Sequence, residues 1–354
     1  MRLFRSQEPS KPEPRSAGTR ATARVPLPWP NDRDFRILSI DGGGIRGILP
    51  LAFLAGLEST YLKGDSIADY FDLIVGTSTG GIIALGLSSG KTAAQILDIY
   101  VHKGGEVFPP LSAFAKVCTS VSSLALNRCN TEKLGHLVDA VLGQRRLWES
   151  TKRLCIPSAE TQHFEPYIFK TPHHPDYKRD WREAMAHIAL STSAAPSYFK
   201  SVQREDRLEL VDGGIWANNP IMVGVADALS CFRVERKRVK VLSLGCVKDA
   251  PEMTWARRHL GGLFFWRTLM FESMHIQSHN VLGQAMLLLG HENVVRVDSS
   301  PVHPALELSD WVECKERLPP IANALLEQYG AQIRASFLTD VAEPFLAIHR
   351  PPAS

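Results

Sequence analysis

The sequence predicts an α/β protein whose central sheet is mostly parallel and is flanked by helices. Two segments carry that prediction. The apolar run Phe35–Ile40 ends in the glycine turn Asp41-Gly42-Gly43-Gly44-Ile45-Arg46-Gly47, after which Ile48, Leu51, Leu54 and Leu57 recur at helical steps. The same order returns when the run from Phe71 to Gly76 passes through Thr77, Ser78, Thr79 and Gly80 into Ile82, Ile83, Ala84, Leu85 and Leu87. Two strand-turn-helix crossovers in succession favour strands that lie side by side and point the same way.

The remaining elements follow in order. Residues 1–33 hold six prolines and few large apolar side chains, and are expected to form a flexible or extended leader. Residues 92–143 are expected to be mostly helical, with an apolar patch through Val107, Phe108, Leu111, Phe114 and Val117. Strands are expected at 153–157, 167–170, 208–211, Val239–Leu244 and Val294–Val297. Helices are expected at 181–190, after the cap Asn219-Pro220, through the aromatic stretch 251–290, and at 318–337 and 340–349. No repeat and no long internal linker divides the chain, so residues 34–354 are expected to form one domain.

Composition narrows the function classes. Hydrophobic residues make up 44% and charged residues 22% of the 354, enough apolar material for a large core. The formal charge of +3 is concentrated at the start: residues 1–24 carry six cations against two carboxylates, so the rest is nearly neutral. Nothing in that balance demands DNA or RNA. The six cysteines (118, 129, 155, 231, 246 and 314) show neither CxxC spacing nor histidines at metal-site intervals, and are expected to be reduced core residues of a cytosolic protein without a metal. No apolar run approaches the roughly 20 residues of a spanning helix, and no secretory signal is expected.

Chemistry enters at Gly76-Thr77-Ser78-Thr79-Gly80, a G-x-S-x-G pattern between a strand and a helix. A chain that turns this sharply has no room for side chains at 76 and 80. The turn presents the Ser78 hydroxyl over a helix N-terminus, whose amides favour negative charge. Ser78 is therefore a candidate nucleophile. The turn at 42–47 also fits G-x-G-x-x-G, the dinucleotide-binding pattern, but no acidic residue ends a second strand about 20 residues on. It lacks the GK[ST] ending of a phosphate loop, and an oxyanion hole or a plain tight turn remains open. Asp212-Gly213-Gly214 follows an apolar run and should place a carboxylate at a further strand end. A Ser-Asp-His arrangement stays open as well, through His259, His275, His279, His291 or His303.

Taken in order, D-G-G-G-x-R-G, G-x-S-x-G and D-G-G resemble the patatin-like phospholipase family, as do 195–199 (APSYF), Asn218-Asn219-Pro220 and 242–245. The likeness covers roughly residues 35–300. It implies a three-layer α/β/α fold and a serine acyl hydrolase acting on membrane glycerophospholipids. It implies Ser78 as nucleophile and Asp212 as general base. Gly42, Gly43 and Gly44 would be oxyanion donors with Arg46 at the basic position of the turn. Asp41, Gly47, Gly76, Gly80, Gly213 and Gly214 would support the motifs. No cofactor is implied.

The segments ISIDGGGIRG and GTSTGGIIAL are similar to bacterial members that act as anti-phage effectors. That likeness implies a cyclic di- or trinucleotide activator, a cytoplasmic protein working peripherally on the inner membrane face, and room for a homo-oligomer. The basic cluster Arg233, Arg236, Lys237, Arg238 and Lys240 is a candidate activator site or a solvated loop. The 107–117 patch and Trp255, Phe264, Phe265, Trp266 and Phe271 are candidates for an acyl channel, a membrane lip or core. A catalytically silent lipid-binding protein on the same fold is the contrasting reading.

Overall fold

The computed structural model describes residues 24–108, 131–196, 198–247 and 269–352. Strand β1 (Phe35–Ile40) is buried along its whole length inside an eight-stranded sheet. It pairs in parallel with β2 (Leu73–Gly76) on one side and β7 (Val239–Leu244) on the other. β3 (Arg153–Glu160) extends the parallel part beyond β2, and β8 (Val294–Val297) extends it beyond β7. The rest is antiparallel. β4 (Glu165–Lys170) folds back on β3, β6 (Glu209–Asp212) pairs with β3, and β5 (Val202–Gln203) pairs with β6 at the edge. The sheet is therefore mixed. The connection between β3 and β4 is too short for a crossover, which leaves an antiparallel return as its only route.

Alternation along the central strands separates two apolar layers. Leu38, Ile40, Ile74, Leu242 and Leu244 face one core. Phe35, Ile37, Leu73, Val75, Val239 and Val241 face the other. The first is covered by α1 (Ile48–Tyr61), α2 (Thr79–Ser88), α3 (Ala93–Val107), α4 (Thr131–Leu142), α5 (Met185–Thr192) and, last in the chain, α9 (Trp311–Phe337). After the single turn α6 (Gly214–Ala217), α7 (Ile221–Cys231) and α8 (Leu269–Leu289) cover the second. The result is the three-layer α/β/α architecture. Glu58 ties α1 into it: its buried carboxylate accepts the N–H groups of Ile67, Ala93 and Ala94, capping α3 from a neighbouring helix.

Several elements differ from expectation. The helix expected from 181 begins at Met185, because Ala184 bridges Arg146 and the Met185 N–H donates to the Arg145 carbonyl. α9 begins at Trp311 rather than 318, its N-terminus capped by Asp310, and Pro319 and Pro320 lie inside it. Residues 340–349 are not helical. Their backbone is used elsewhere: Ala342 N–H donates to Asp69 O and Ile348 N–H to Pro172 O, while Phe345 is buried beside His173. Residues 24–33 of the expected leader pack on the body. Leu27 bridges Phe232, and Trp29 sits between Phe35 and Phe232. Residues 1–23 lie outside the described residues.

A charged network lies under α7. Asp227 accepts from Lys170 Nζ at 2.6 Å and Tyr177 Oη at 2.6 Å, and its other oxygen lies 2.7 Å from His173 Nε2. The ligand atoms of Cys155, His173 and Asp227 lie within 4.8 Å of one another, and both carboxylate oxygens of Asp227 are engaged by Lys170, Tyr177 and His173. Burial raises the Asp227 pKa, yet Lys170 and His173 outweigh it and hold the carboxyl well below its usual range. A depressed carboxyl stabilises the fold above its unfolded pKa and stops doing so as pH falls. Replacement of Asp227 with Asn should leave Lys170 without its counter-charge. It is expected to cost about 3–5 kcal/mol in urea unfolding at pH 7.

Candidate active site

The register Ile40↔Gly76 brings the ends of β1 and β2 level, so Asp41 and Thr77 leave the sheet side by side. Ser78 turns at φ 55° and ψ −123°, in the strained region typical of a nucleophile elbow. The turn is fixed from outside: the Ser78 N–H donates to Thr192 Oγ1 at 3.0 Å and Thr77 Oγ1 donates to the Ala217 carbonyl at 2.6 Å. A Cβ at Gly76 would lie 2.1 Å from the Gly80 oxygen, and one at Gly80 would lie 2.3 Å from the Ile40 oxygen. Both glycines are required by backbone meeting backbone.

Asp212 arrives by a route the sequence does not display. β2 pairs with β3 only as far as Cys155. β4 occupies the opposite flank of β3 from Cys155 to Glu160, so β6, which pairs at Ser158–Glu160, must take over the flank that β2 leaves. The last residue of β6 is Asp212, opposite Ser158, and it comes to rest just beyond the end of β2. There its carboxylate accepts a hydrogen bond from Ser78 and another from the Gly214 N–H at 2.6 Å. Burial pushes the Asp212 pKa up to about 6, against the pull of those two bonds. Gly213 permits the approach, since a Cβ there would lie 2.4 Å from the Pro157 oxygen.

The glycine turn stands beside the serine: a Cβ at Gly42 would lie 3.3 Å from Ser78 Cβ. Its amides are not equivalent. The Gly42 N–H is committed to the Asn218 carbonyl at 3.0 Å and the Ile45 N–H to the Leu308 carbonyl at 3.0 Å. Those of Gly43 and Gly44 have no acceptor among the described residues. Of the three glycines expected to donate to an oxyanion, Gly42 therefore instead anchors the turn. Arg46 is buried on the pocket wall, and Gly47 packs against Thr79.

Asp41 does not face the serine. Arg296 forks onto it, with Nη1 at 3.0 Å and Nη2 at 2.7 Å, and also donates to Ser243 Oγ and Asp298. Burial pushes Asp41 up to about 6, with Arg296 and a Ser278 hydrogen bond pulling it down. Sequence reasoning found β8 but missed Arg296. The signal was present, as a charged residue at the third position of an otherwise apolar buried strand, Val294–Val297. Thr192 carried no comparable signal, and Asn218 carried only its place in the Asn218-Asn219-Pro220 segment of the family likeness.

Ser78 and Asp212 open into a pocket. One wall is apolar, with Ile82, Tyr100, Leu134, Leu137 and Phe199, and Phe108 meets Phe199 edge to face at 6.2 Å. Leu111, Phe114 and Val117 of the apolar patch lie outside the described residues, as do His259, Trp255, Phe264, Phe265, Trp266 and the side chain of Phe271. His275 and His279 line the pocket, whereas His291 and His303 are exposed and do not. The basic cluster stands at the start of β7, at the opposite end of the strands from Ser78. There Arg238 and Lys240 pair with Asp34, and Lys237 pairs with Glu235. Cys155, Cys231, Cys246 and Cys314 are buried free thiols, and Cys118 and Cys129 lie outside the described residues. Because the clash at Gly76 is with backbone, Gly76→Ala is expected to lower stability by about 3 kcal/mol or more in urea titration.

Residues 38–225 match the family model described as patatin-like phospholipase. Two bacterial relatives are each named cGAMP-activated phospholipase. The Escherichia coli (strain TW11681) protein is 32% identical, over 74% of this chain and 79% of its own. The Vibrio cholerae protein is 33% identical, over 76% and 83%. Patatin-like protein 2 of Arabidopsis thaliana is 36% identical, over 66% and 65%. With the three motifs in order on a three-layer α/β/α fold, this chain belongs to the patatin-like phospholipase family.

Proposed function

We propose that the chain is a serine acyl hydrolase that cleaves acyl esters of membrane glycerophospholipids through a Ser78–Asp212 dyad, and that a cyclic dinucleotide switches it on. The observation that carries the dyad is the direct hydrogen bond from Ser78 to the buried Asp212 carboxylate, with no imidazole between them. A serine hydroxyl is a weak nucleophile until a base takes its proton. An ordinary aspartate is a poor base, but a carboxylate titrating at about 6 is better matched to neutral pH.

Ser78 Oγ attacks the ester carbonyl carbon as its proton passes to Asp212. The tetrahedral oxyanion is received by the Gly43 and Gly44 amides, with Arg46 at the pocket wall and the α2 N-terminus adding positive potential. The C–O bond breaks, and Asp212 returns the proton to the departing lysophospholipid oxygen. Water then attacks the acyl-enzyme carbonyl as Asp212 takes its proton, and Asp212 returns that proton to Ser78 Oγ as the ester C–O bond breaks, releasing the fatty acid and restoring the carboxylate. Asp41, clamped by Arg296, holds the glycine turn in place.

The activator rests on the names of the Escherichia coli and Vibrio cholerae relatives, cGAMP-activated phospholipases, which cover about three-quarters of the chain. This fits an effector in antiviral defence that reaches lipid from the inner membrane face. No described helix is long and apolar enough to cross a membrane.

Fatty-acid release from phosphatidylglycerol vesicles, with and without cyclic GMP–AMP, tests the reading. Ser78→Ala and Asp212→Asn should each lower turnover by about a thousandfold or more. An equal loss at His275→Ala or His279→Ala would sink the dyad. Absence of fluorophosphonate labelling at Ser78 under every condition would favour the lipid-binding reading.

The pH profile follows from the base. Because Asp212 must be ionised, kcat/KM should fall about tenfold per unit below about pH 6. The same shift costs stability. A raised carboxyl pKa means the folded state binds more protons, so stability declines as pH rises from the unfolded value to about 6. Asp212→Asn should therefore raise the thermal midpoint at pH 7.5 by about 3 °C or more while abolishing turnover.

A further inference from the structure

Asn218 brings to the reacting centre a polar side chain that the protein itself does not use. The residue follows the single turn α6, and its carbonyl accepts from the Gly42 N–H at 3.0 Å, which pins it against the start of the glycine turn. Its side chain is half-buried and lines the pocket with Ser78 and Asp212. The amide makes no hydrogen bond among the described residues, and neither of its polar atoms is sealed from solvent. Two glycines locate it. The point where a Gly42 Cβ would sit lies 2.5 Å from Asn218 Oδ1 and 3.3 Å from Ser78 Cβ. The corresponding point at Gly214 lies 3.4 Å from Asn218 Oδ1 and 3.0 Å from Asp212 Oδ1. The amide oxygen therefore stands beside both the serine and the base.

A water that attacks an acyl-enzyme has two O–H groups to place. One proton passes to the base as the new C–O bond forms. The other stays on the oxygen and becomes the hydroxyl of the fatty acid, and it needs an acceptor while the water is held in the pocket. Most of the neighbouring groups are of the wrong kind. The Gly43 and Gly44 amides and the Arg46 guanidinium line the same pocket and can only donate. Asp41 and Asp298 share the Arg296 fork, and the Ser193 hydroxyl is sealed from solvent. The imidazoles of His275 and His279 accept only when neutral, whereas an amide oxygen accepts at every pH.

We propose that Asn218 holds the hydrolytic water, its Oδ1 accepting the second O–H while Asp212 takes the first proton, so that the oxygen lone pair is aimed at the acyl carbon. The assignment rests on the reading of Ser78 as acyl carrier and Asp212 as base. It adds a role that acylation does not need, because the Ser78 hydroxyl has a single proton and already donates it to Asp212.

Methanol tests the assignment, since it carries one O–H where water carries two. Phosphatidylglycerol in detergent mixed micelles with a fixed concentration of methanol is given to the protein under conditions in which Ser78 labels with a fluorophosphonate. Fatty acid and fatty-acid methyl ester then form from the same acyl-enzyme, and their ratio does not depend on how much of the protein is folded. Asn218→Leu keeps the branched shape of the side chain and removes both polar atoms. Its ratio of methyl ester to fatty acid should rise about tenfold over wild type, with the rate of fluorophosphonate labelling, a step without water, held within about threefold. N218A, measured beside it, should shift the ratio in the same direction. N218D keeps an oxygen acceptor at that place and should hold the ratio within about threefold of wild type. An unchanged ratio in N218L and N218A would overturn the assignment, as would an N218D ratio as high as that of N218L. So would labelling that slows in step with hydrolysis, because the amide would then serve Ser78 or the oxyanion. Fatty acid without methyl ester from wild type and variants alike, or no labelling of Ser78 at all, would instead fell the reading of Ser78 as acyl carrier.

Discussion

The structure depends on how closely three pieces of backbone meet at the ends of β1 and β2. Gly80, at the start of α2, sits so near the Ile40 carbonyl that a methyl group would overlap it, and Gly76 meets Gly80 in the same way. With side chains at either position, α2 would have to lift away from the sheet. The serine would then lose its place beside the glycine turn that continues from Ile40. Strain at Ser78 is the local consequence, and bonds from Thr77 Oγ1 to the Ala217 carbonyl and from the Ser78 N–H to Thr192 Oγ1 hold it there. Rigid neighbours, more than the elbow itself, keep the hydroxyl in position.

Two buried carboxylates at the sheet's C-terminal edge have similar pKa values for the same leading reason but different partners. Asp41 and Asp212 are both pushed up to about 6 by burial. Asp41 is held by a bidentate arginine, so its charge is spent on fixing the turn that carries Gly43 and Gly44. Among the described residues Asp212 has the serine and one amide as hydrogen-bond donors and no cation paired with it. Asp227 shows the contrasting case, a carboxylate so well matched by Lys170 and His173 that it is held ionised. Desolvation is common to all three; the partners decide the role.

Much of the fold was legible because it is encoded locally. The strands Phe35–Ile40, Val239–Leu244 and Val294–Val297 fall at the expected residues, each a short run with β-branched and other apolar residues. The failures lie where distant backbone supplies the hydrogen bonds. Ala342 and Ile348 donate to carbonyls of Asp69 and Pro172, and that alternative is invisible in a window around 340–349. At the site, the identity of Gly43 and Gly44 was legible, but not that the Gly42 amide is taken by Asn218. Arg296 was legible only as an oddity.

The sequence by itself determined the two crossovers, the serine elbow and the glycine turn, because each is a short stretch whose backbone geometry admits few residue types. It also supplied the carboxylate, in Asp212-Gly213-Gly214. Only the tertiary structure decided which group meets Ser78. That choice follows from β6 taking over the flank of β3 where β2 stops, an antiparallel pairing set by which strands compete for one edge. Strand competition is a property of the whole sheet, and no local pattern of residues records it.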